Sequence, residues 1–354
     1  MQSWSLEGAA AVWSGRIKIM HLYIHVPFCV KKCNYCAFHS VECPVPDWDA
    51  YTAGILRQLD CFKASDFEID TVFFGGGTPS LLPPAQAGKI IGKLHLARNA
   101  EFTLEANPKT LGSLELKDWK DFGINRLSIG MQSFDDDELR FLGRIHTVAD
   151  SLALLDAARG LNLRTSMDFI YGLPGQTAAD AEKMCEKINA LGLPHASLYE
   201  LSIEPGTKFA NLIPPDDQNG AEMYDAIGRT LELPRYEVSN YGDPCLHNAA
   251  VWRGEEYIGV GESASGRIMR SGSWLETKIT NGRVEAGPLS ARDRAREIAM
   301  TGLRTARGVP ACAAGINWPF AAANPQWFEW DGGSLRMTDS GLLLLDFLLK
   351  DIVL

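Results

Sequence analysis

Short apolar stretches alternate with amphipathic stretches along the first 210 residues of this chain, and this alternation limits its fold more than any other feature. The apolar stretches have the composition of buried strands, and the stretches between them repeat apolar residues with a helical period. Strands are predicted at residues 22–26, 70–75, 101–105, 123–130, 163–170 and 195–201, and helices at 47–63, 84–97, 111–122, from 136, at 148–159 and at 178–190. Strands that alternate with helices imply a parallel sheet with covered faces. We therefore expect an α/β fold, a partial (β/α)6-type parallel barrel with its site at the carboxyl ends of the strands.

The pattern changes after about residue 205. A loop at 214–220 precedes a helix that ends at Leu231, and residues 236–266 are rich in aromatic residues and glycine without a clean period. A strong helix is predicted at 289–304 and a Leu-rich helix after Gly341. For a chain of 354 residues we expect about two domains. The predicted segments are an N-terminal extension at 1–19, the barrel at 20–210 and a smaller α+β domain at 211–354.

Composition and charge exclude several classes of protein. The net charge of −10 argues against a nucleic-acid scaffold, which would carry a basic patch. The sequence contains no run of 18 apolar residues, so no membrane span is predicted. In the first residues, the apolar and basic segments do not follow each other in the order that a signal peptide has. Eight cysteines in a chain of this length without an export signal do not indicate a disulfide framework. We expect a cytoplasmic protein with reduced thiols.

A loop directly after the first predicted strand carries Cys29, Cys33 and Cys36 in a C-x3-C-x2-C spacing. Few backbone torsions separate the three thiols, so they can reach one centre. Thiolates are soft ligands, which makes zinc and an iron–sulfur cluster the candidates. Structural zinc takes four ligands, and a cubane cluster also has a fourth iron, so three cysteines leave one position open.

A zinc site remains an alternative on the residues alone. His25 and His39 flank the loop, and either histidine is a conceivable fourth ligand. Cys43 is a weaker candidate, because Val41 and Glu42 separate it from the loop and Pro44 follows it. Neither histidine completes a C-x2-C pair of the usual zinc type.

Several polar or glycine positions coincide with predicted strand ends. Cys29, Gly77, Glu105, Gln132 and Asp168 all lie at or just after the end of a predicted strand. The carboxyl ends of parallel strands meet at one edge of a barrel, so we expect these residues to share a site. Taken singly, the glycines also fit a tight turn and Glu105 a solvated surface position.

These motifs resemble the radical S-adenosylmethionine enzymes, and more closely the family of oxygen-independent coproporphyrinogen III oxidase and the heme chaperone HemW. The resemblance covers roughly residues 20–350. It rests on Tyr23-Ile-His-Val-Pro-Phe-Cys29, Phe74-Gly-Gly-Gly-Thr-Pro-Ser80, Glu105-Ala-Asn-Pro108, Gly130-Met-Gln-Ser-Phe134, Leu142-Gly-Arg-Ile-His146, Asp168-Phe-Ile-Tyr-Gly-Leu-Pro174 and Glu204-Pro-Gly-Thr207.

The resemblance implies a set of cofactors and the residues that bind them. In this superfamily three cysteines hold a 4Fe-4S cluster and S-adenosylmethionine chelates the fourth iron, so that reductive cleavage yields a 5′-deoxyadenosyl radical. By similarity Cys29, Cys33 and Cys36 are the metal ligands. The expected contacts of the nucleotide are Gly76, Gly77 and Thr78 for the methionyl part, Glu105 and Gln132 for its amine or the ribose, Arg144 for its carboxylate, Asp168 for the ribose, and Tyr23 and Tyr35 near the cluster and the adenine.

Within the family, one position favours heme handling over porphyrinogen oxidation. The oxidases carry a further cysteine two residues after the third, where this chain has Phe38. They also have a longer N-terminal extension that reaches the active site. HemW-type proteins bind heme and are thought to pass it to other proteins.

The heme-related motif of HemW-type proteins is present in altered form. Their H-N-x-x-Y-W motif reads His247-Asn-Ala-Ala-Val-Trp252 here, with Val251 in place of tyrosine. The G-x-G-P-G-A-H pattern that follows ends in Ser265 instead of histidine. His247 is a candidate heme ligand, since neutral imidazole suits iron, and a hydrogen-bonded structural histidine is the alternative.

These observations predict a radical S-adenosylmethionine protein that acts as a heme chaperone. The expected partners are heme, an acceptor protein and an electron donor, without nucleic acid. The first alternative is an oxygen-independent coproporphyrinogen III oxidase or another radical enzyme that modifies tetrapyrroles. The second is a zinc-stabilised binding protein.

Overall fold

The structure, a computed structural model, describes residues 18–212 and 217–354. The predicted extension at 1–19 therefore lies almost entirely outside the described residues. The strands are β1 (Lys18–Val26), β2 (Phe28–Cys29), β3 (Val41–Glu42), β4 (Phe67–Gly76), β5 (His95–Ala106), β6 (Arg126–Gln132), β7 (Arg164–Tyr171), β8 (His195–Glu200), β9 (Asn240–Gly242), β10 (Tyr257–Val260), β11 (Ser265–Arg270), β12 (Ser273–Thr280), β13 (Arg283–Pro288), β14 (Val309–Pro310), β15 (Phe328–Trp330) and β16 (Ser334–Met337). The helices are α1 (Trp48–Phe62), α2 (Pro84–Ile91), α3 (Ser113–Asp121), α4 (Asp136–Phe141), α5 (Val148–Gly160), α6 (Ala178–Leu191), α7 (Asp217–Thr230), α8 (Leu246–Trp252), α9 (Ala291–Leu303), α10 (Trp318–Ala323), α11 (Asp339–Leu343) and α12 (Leu345–Ile352).

The six predicted strands form one parallel sheet in chain order, β1-β4-β5-β6-β7-β8. On one side β9 adds an antiparallel edge, and on the other β10 pairs parallel with β1 and continues into the antiparallel strands β11 to β13. The outermost strands, β13 and β9, do not pair with each other. The α/β class and the partial barrel are therefore confirmed. None of the described helices is long and apolar enough to cross a membrane.

The helix predicted at 84–97 is wrong in its second half. Helix α2 ends at Ile91, and β5 already begins at His95. Leu96 pairs with Ile69 of β4, so sheet pairing decides the conformation of a segment whose apolar residues also fit a helix. The predicted Leu-rich terminal helix is divided into α11 and α12, with Leu344 between them.

The main core continues beyond the predicted boundary at residue 210. Buried residues of α7, β10 and β12, such as Met223, Ile258 and Ile279, belong to the same core as the barrel strands. A second core forms among α9, α10, α12 and β14 to β16, around Leu303 and Leu348. The boundary at 210/211 stays a prediction, and the irregular stretch at 236–266 turns out to contain β9, α8 and β10.

Candidate functional site

A cavity of about 480 Å³ opens at the carboxyl ends of the parallel strands. The carboxyl-terminal residues of β4 to β8 and the loops after β1, β4, β5, β6 and β8 form its wall. Except for Tyr23, every residue predicted for the cluster or the nucleotide lines this cavity, namely Cys29, Cys33, Tyr35, Cys36, Gly76, Gly77, Thr78, Glu105, Gln132, Arg144 and Asp168. We call it the main cavity.

The cysteine loop is closed by a short strand pair. Cys29 in β2 lies opposite Glu42 in β3, and the loop between the two strands carries Cys33 and Cys36. Cys29 is buried, the other two are half-buried, and all three are free thiols. The described residues contain no group of three or more His, Cys, Asp or Glu side chains arranged to hold a single metal ion. A polynuclear cluster bonds each thiolate at a different iron atom, so its cysteines need not converge on one point.

The glycines after β4 let the backbone press against the cysteine loop. A Cβ atom on Gly77 would come within 2.8 Å of the Phe28 carbonyl oxygen and 3.1 Å of Cys29 Sγ. Gly76 has a φ of 115°, and a Cβ atom there would lie 2.6 Å from the His25 ring. Only glycine fits both positions, which leaves a bare backbone wall beside the cysteines.

Two carboxyl groups, those of Glu105 and Asp168, line the main cavity. Burial, together with the negative charge of Asp168, raises the pKa of Glu105 to about 8, although the Gly76 N–H donates to Glu105 Oε2 at 3.2 Å. Burial also raises the pKa of Asp168, and hydrogen bonds from Ser197 and Ser128 oppose this shift. A ligand that brings positive charge or hydroxyl donors would relieve this pair.

Gln132 and Arg144 line the main cavity beside Gly130. Gln132 ends β6 after a register shift and has a φ of 68°, a left-handed conformation that is uncommon outside glycine and often marks a ligand site. Arg144 donates from Nη1 to Cys33 Sγ at 3.3 Å and from Nη2 to the Gly130 carbonyl at 3.1 Å. Its buried Nε has no partner among the described residues. The wall therefore offers a cation beside the thiols and a free donor.

Tyr35 and Phe38 flank the cysteines on the loop. Tyr35 packs against the small apolar cluster of Leu142, Leu173 and Leu201, which fixes the loop over the cavity. Phe38, the position that in the sequence favours heme handling over porphyrinogen oxidation, lines the main cavity and is 67% exposed.

His247 and Tyr23 line a second cavity of about 400 Å³. Its other lining residues are His25, Phe73, Asn248, Val251, Trp252, Tyr257, Ser263, Ala264 and Ser265. Both positions that depart from the HemW motifs, Val251 and Ser265, are therefore in this wall. The sequence did not indicate that Tyr23 belongs here and not to the main cavity.

A pair of hydrogen-bonded side chains stands between the two cavities. His25 Nε2 lies 2.8 Å from the His39 carbonyl, which can only accept, so His25 Nδ1 accepts the Tyr23 hydroxyl at 3.0 Å. His25 lines the second cavity, and its ring lies 2.6 Å from the place where a Cβ atom on Gly76 would stand, a residue that lines the main cavity. Tyr23 and His25 thus form a shared wall.

The buried carboxylate of Glu101 fixes the start of helix α8, which carries His247. Glu101 Oε1 accepts the His247 N–H at 3.1 Å, and Glu101 Oε2 accepts the Leu246 N–H at 3.1 Å and pairs with Arg164. This contact was not predicted from the sequence, although a charged residue at the start of the predicted strand 101–105 was a signal for it.

The imidazole of His247 is engaged on one side only. Its Nδ1 lies 2.8 Å from Thr71 Oγ1, whereas Nε2 has no hydrogen bond within the described part of the chain. Burial lowers the pKa of His247 to about 3, with a further contribution from His21, so the ring is neutral. A neutral imidazole with one nitrogen open to a cavity is a typical metal ligand.

Comparison with known proteins gives a consistent result. The model of the radical SAM superfamily matches residues 23–188. The heme chaperone HemW of Escherichia coli K12 is 39% identical over 270 residues, which cover 70% of each chain, and the HemW of Bacillus subtilis is 35% identical over 267 residues, again 70% of each. The zebrafish radical S-adenosyl methionine domain-containing protein 1 is 33% identical over 94% of this chain and 86% of its own.

Among solved structures, coproporphyrinogen III oxidase (HemN) of E. coli, described as a radical SAM enzyme, superposes with a TM-score of 0.75 over 94% of this chain and 90% of its own, at 20% identity. At that identity the likeness concerns the fold alone. The identity to the HemW proteins, by contrast, extends over more than two thirds of their length. The chain therefore belongs to the radical SAM superfamily and, within it, to the family of the heme chaperone HemW.

Proposed function

We propose that this protein is a heme chaperone that binds heme in the second cavity and passes it to an acceptor protein. The observation that carries the proposal is the unengaged Nε2 of His247, which opens into a cavity separate from that of the cysteines. Relatives named as heme chaperones at 35–39% identity support the same function.

The second cavity suits a flat apolar ligand with a metal centre. Its volume of about 400 Å³ falls within the usual range for small-ligand sites, and its walls include Phe73, Trp252 and Tyr257. His247 supplies the iron ligand. Val251 and Ser265 replace two polar or aromatic groups of the family motifs, which leaves His247 as the main candidate ligand in this wall.

The main cavity suits the other two groups that the superfamily implies. Cys29, Cys33 and Cys36 would hold a 4Fe-4S cluster, and S-adenosylmethionine bound beside it supplies radical chemistry when an external donor delivers an electron. The bare backbone of Gly76 and Gly77 admits a ligand close to the cysteines.

Four side chains and the backbone at Thr78 would orient the nucleotide. Glu105 and Asp168 favour its positive charge and ribose hydroxyls. Arg144 and Gln132 carry the remaining donors of the wall. Thr78, which is buried in the same wall, adds the backbone that follows the glycines.

The oxidase alternative has less support. Phe38 occupies the cavity wall where the oxidases carry a further thiol. We also expect an acceptor protein and an electron donor as partners of the chaperone. Its eight cysteines are free thiols, which suits the reducing cytoplasm where we place the protein.

A heme titration of the apoprotein tests the proposal. We expect wild type to bind heme with a histidine-ligated absorption spectrum and His247→Ala to bind at least tenfold more weakly, because loss of the ligand costs no less than loss of the group that supports it. His95→Ala, which removes an exposed histidine that lines neither cavity, is the matched control and should bind like wild type.

Two further measurements separate the alternatives. Identical weak binding by wild type and His247→Ala would contradict the heme site. Anaerobic turnover with dithionite and coproporphyrinogen III that gives a vinyl-bearing product would favour the oxidase. If anaerobic reconstitution loads stoichiometric zinc without iron or sulfide, the proposed 4Fe-4S cluster and its radical chemistry would be refuted.

A further inference from the structure

A chain of hydrogen bonds leads from the protein surface to His247. Glu255 Oε2 lies 2.9 Å from His21 Nε2, His21 Nδ1 lies 3.0 Å from Thr71 Oγ1, and Thr71 Oγ1 lies 2.8 Å from His247 Nδ1. His21 and Thr71 are paired neighbours on β1 and β4, and both are buried. The heme site as proposed does not account for this arrangement.

We infer that Glu255, His21 and Thr71 are positioning residues that hold His247 with its proton on Nδ1, so that Nε2 presents a lone pair to the second cavity. The inference rests on the proposed heme site for its purpose. The tautomer itself, however, can be measured without heme.

The direction of each hydrogen bond follows from the chemistry of its partners. Partial burial opposes the charge of Glu255, but hydrogen bonds from Arg253 and His21 lower its pKa, so it is a carboxylate and can only accept. The His21 proton is therefore on Nε2. When Nε2 holds the only proton of the ring, Nδ1 is an acceptor and receives the hydroxyl proton of Thr71, whose oxygen lies 3.0 Å away.

Thr71 then fixes His247. A threonine hydroxyl has one proton to donate, and that proton is used on His21. The oxygen of Thr71 can only accept from its second neighbour, so His247 Nδ1 must carry the proton. A neutral imidazole has one proton, which leaves Nε2 with a free lone pair.

The consequence is a prepared metal ligand. The hydrogen bond at one imidazole nitrogen sets which nitrogen can bind a metal, and such supporting groups orient the ring and raise its basicity. The His247 backbone N–H bonded to Glu101 fixes the position of the residue, and Thr71 fixes the state of its ring. The chemistry selects a transition-metal centre that accepts imidazole, as heme iron does.

The tautomer of His247 can be read by long-range ¹H–¹⁵N spectra of the full chain labelled with ¹⁵N-histidine, without heme and at pH 8. His247→Ala assigns the signal. We expect the Nδ1–H form in wild type and a mixture or the Nε2–H form in Thr71→Val. Thr103→Val is the matched control, since Thr103 is equally buried on the neighbouring strand β5 and its hydroxyl has no partner among the described residues.

The same variants separate this inference from the heme proposal. Thr71→Val should weaken heme binding about 10- to 100-fold and lower the Fe–His stretching frequency of the ferrous complex, whereas Thr103→Val should change neither. If wild type binds no heme through His247 but shows the Nδ1–H form, the heme site fails and the inference stands.

Other outcomes would overturn the inference. An Nε2–H form in wild type, which a protonated His21 would also produce, refutes it, as does an unchanged signal in Thr71→Val. If Thr71→Val does not fold, Glu255→Ala replaces it, because Glu255 is 43% exposed and its loss frees His21 to adopt either tautomer. If the ¹⁵N signal of His247 in Glu255→Ala were then identical to that in wild type, it would contradict the role of Glu255, His21 and Thr71 in setting the tautomer.

Discussion

Replacing Glu105 with glutamine should stabilise the apoprotein, and the gain should grow with pH. Glu105 keeps its proton up to about pH 8, because it is buried and lies near Asp168, whereas an unfolded chain releases it near pH 4.5. Below about pH 4.5 both states are protonated and the carboxyl costs nothing. As the pH rises towards 8, unfolding releases the proton and is therefore favoured, so wild type loses stability in this window.

The size of the effect follows from the same two pKa values. A difference from 4.5 to about 8 corresponds to at most about 5 kcal/mol of lost stability once the group is forced to ionise. Water that reaches Glu105 through the open cavity screens its charge, so we expect about 1–3 kcal/mol. Glutamine keeps the shape and the acceptor for the Gly76 N–H and removes the charge.

Urea unfolding of apo wild type and Glu105→Gln at pH 5 and pH 8.5 measures the effect. Glu204→Gln, an exposed carboxyl on the rim of the same cavity, is the control. A free-energy difference between wild type and Glu105→Gln that is the same at both pH values would refute the reasoning. Added S-adenosylmethionine should reverse the order, since its positive charge favours the ionised Glu105 of wild type.

Two further predictions concern the wall around the cysteines. Gly77→Ala should destabilise the protein by about 1–3 kcal/mol and reduce the uptake of iron and sulfide on anaerobic reconstitution. The reason is that the added methyl group would lie 2.8 Å from the Phe28 carbonyl oxygen. Gly160→Ala is the control and should have neither effect, because the space at its Cβ position is open. Arg144→Lys should lower the iron content of the reconstituted protein several-fold, because an ammonium group cannot reach both Cys33 Sγ and the Gly130 carbonyl as the guanidinium group does. An iron content equal to that of wild type would contradict this role of Arg144.

The parallel strands and the main cavity could be predicted because their signals are local. Each strand is a short apolar run, and the site residues follow these runs at strand ends that a parallel sheet brings together. The second cavity could not be predicted in this way. Its walls depend on β10 pairing with β1 and on Glu101 binding the backbone of His247, contacts between residues more than a hundred positions apart. Periodicity carries no information about such pairs.

The position of Tyr23 shows a second limit of sequence patterns. Alternation along a strand indicates which face a side chain occupies, but not which of two cavities on that face it reaches. Tyr23 lies within β1, and the resemblance to radical S-adenosylmethionine enzymes implied a place for it near the cluster and the adenine. In the structure its hydroxyl is held by His25, and its ring lies 6.4 Å from that of His247.

One face of β1 therefore organises both sites. His21, Tyr23 and His25 alternate along the strand and lie on the same face, about 6–7 Å apart from one to the next. His21 belongs to the chain of hydrogen bonds that leads to His247, and Tyr23 lies in the wall between the two cavities. His25 contacts Gly76 and the carbonyl of His39, which follows the cysteines in the chain. Because a shift of β1 by one residue would turn all three side chains away, the register of this strand ties His247 and the cysteine loop to a single geometry.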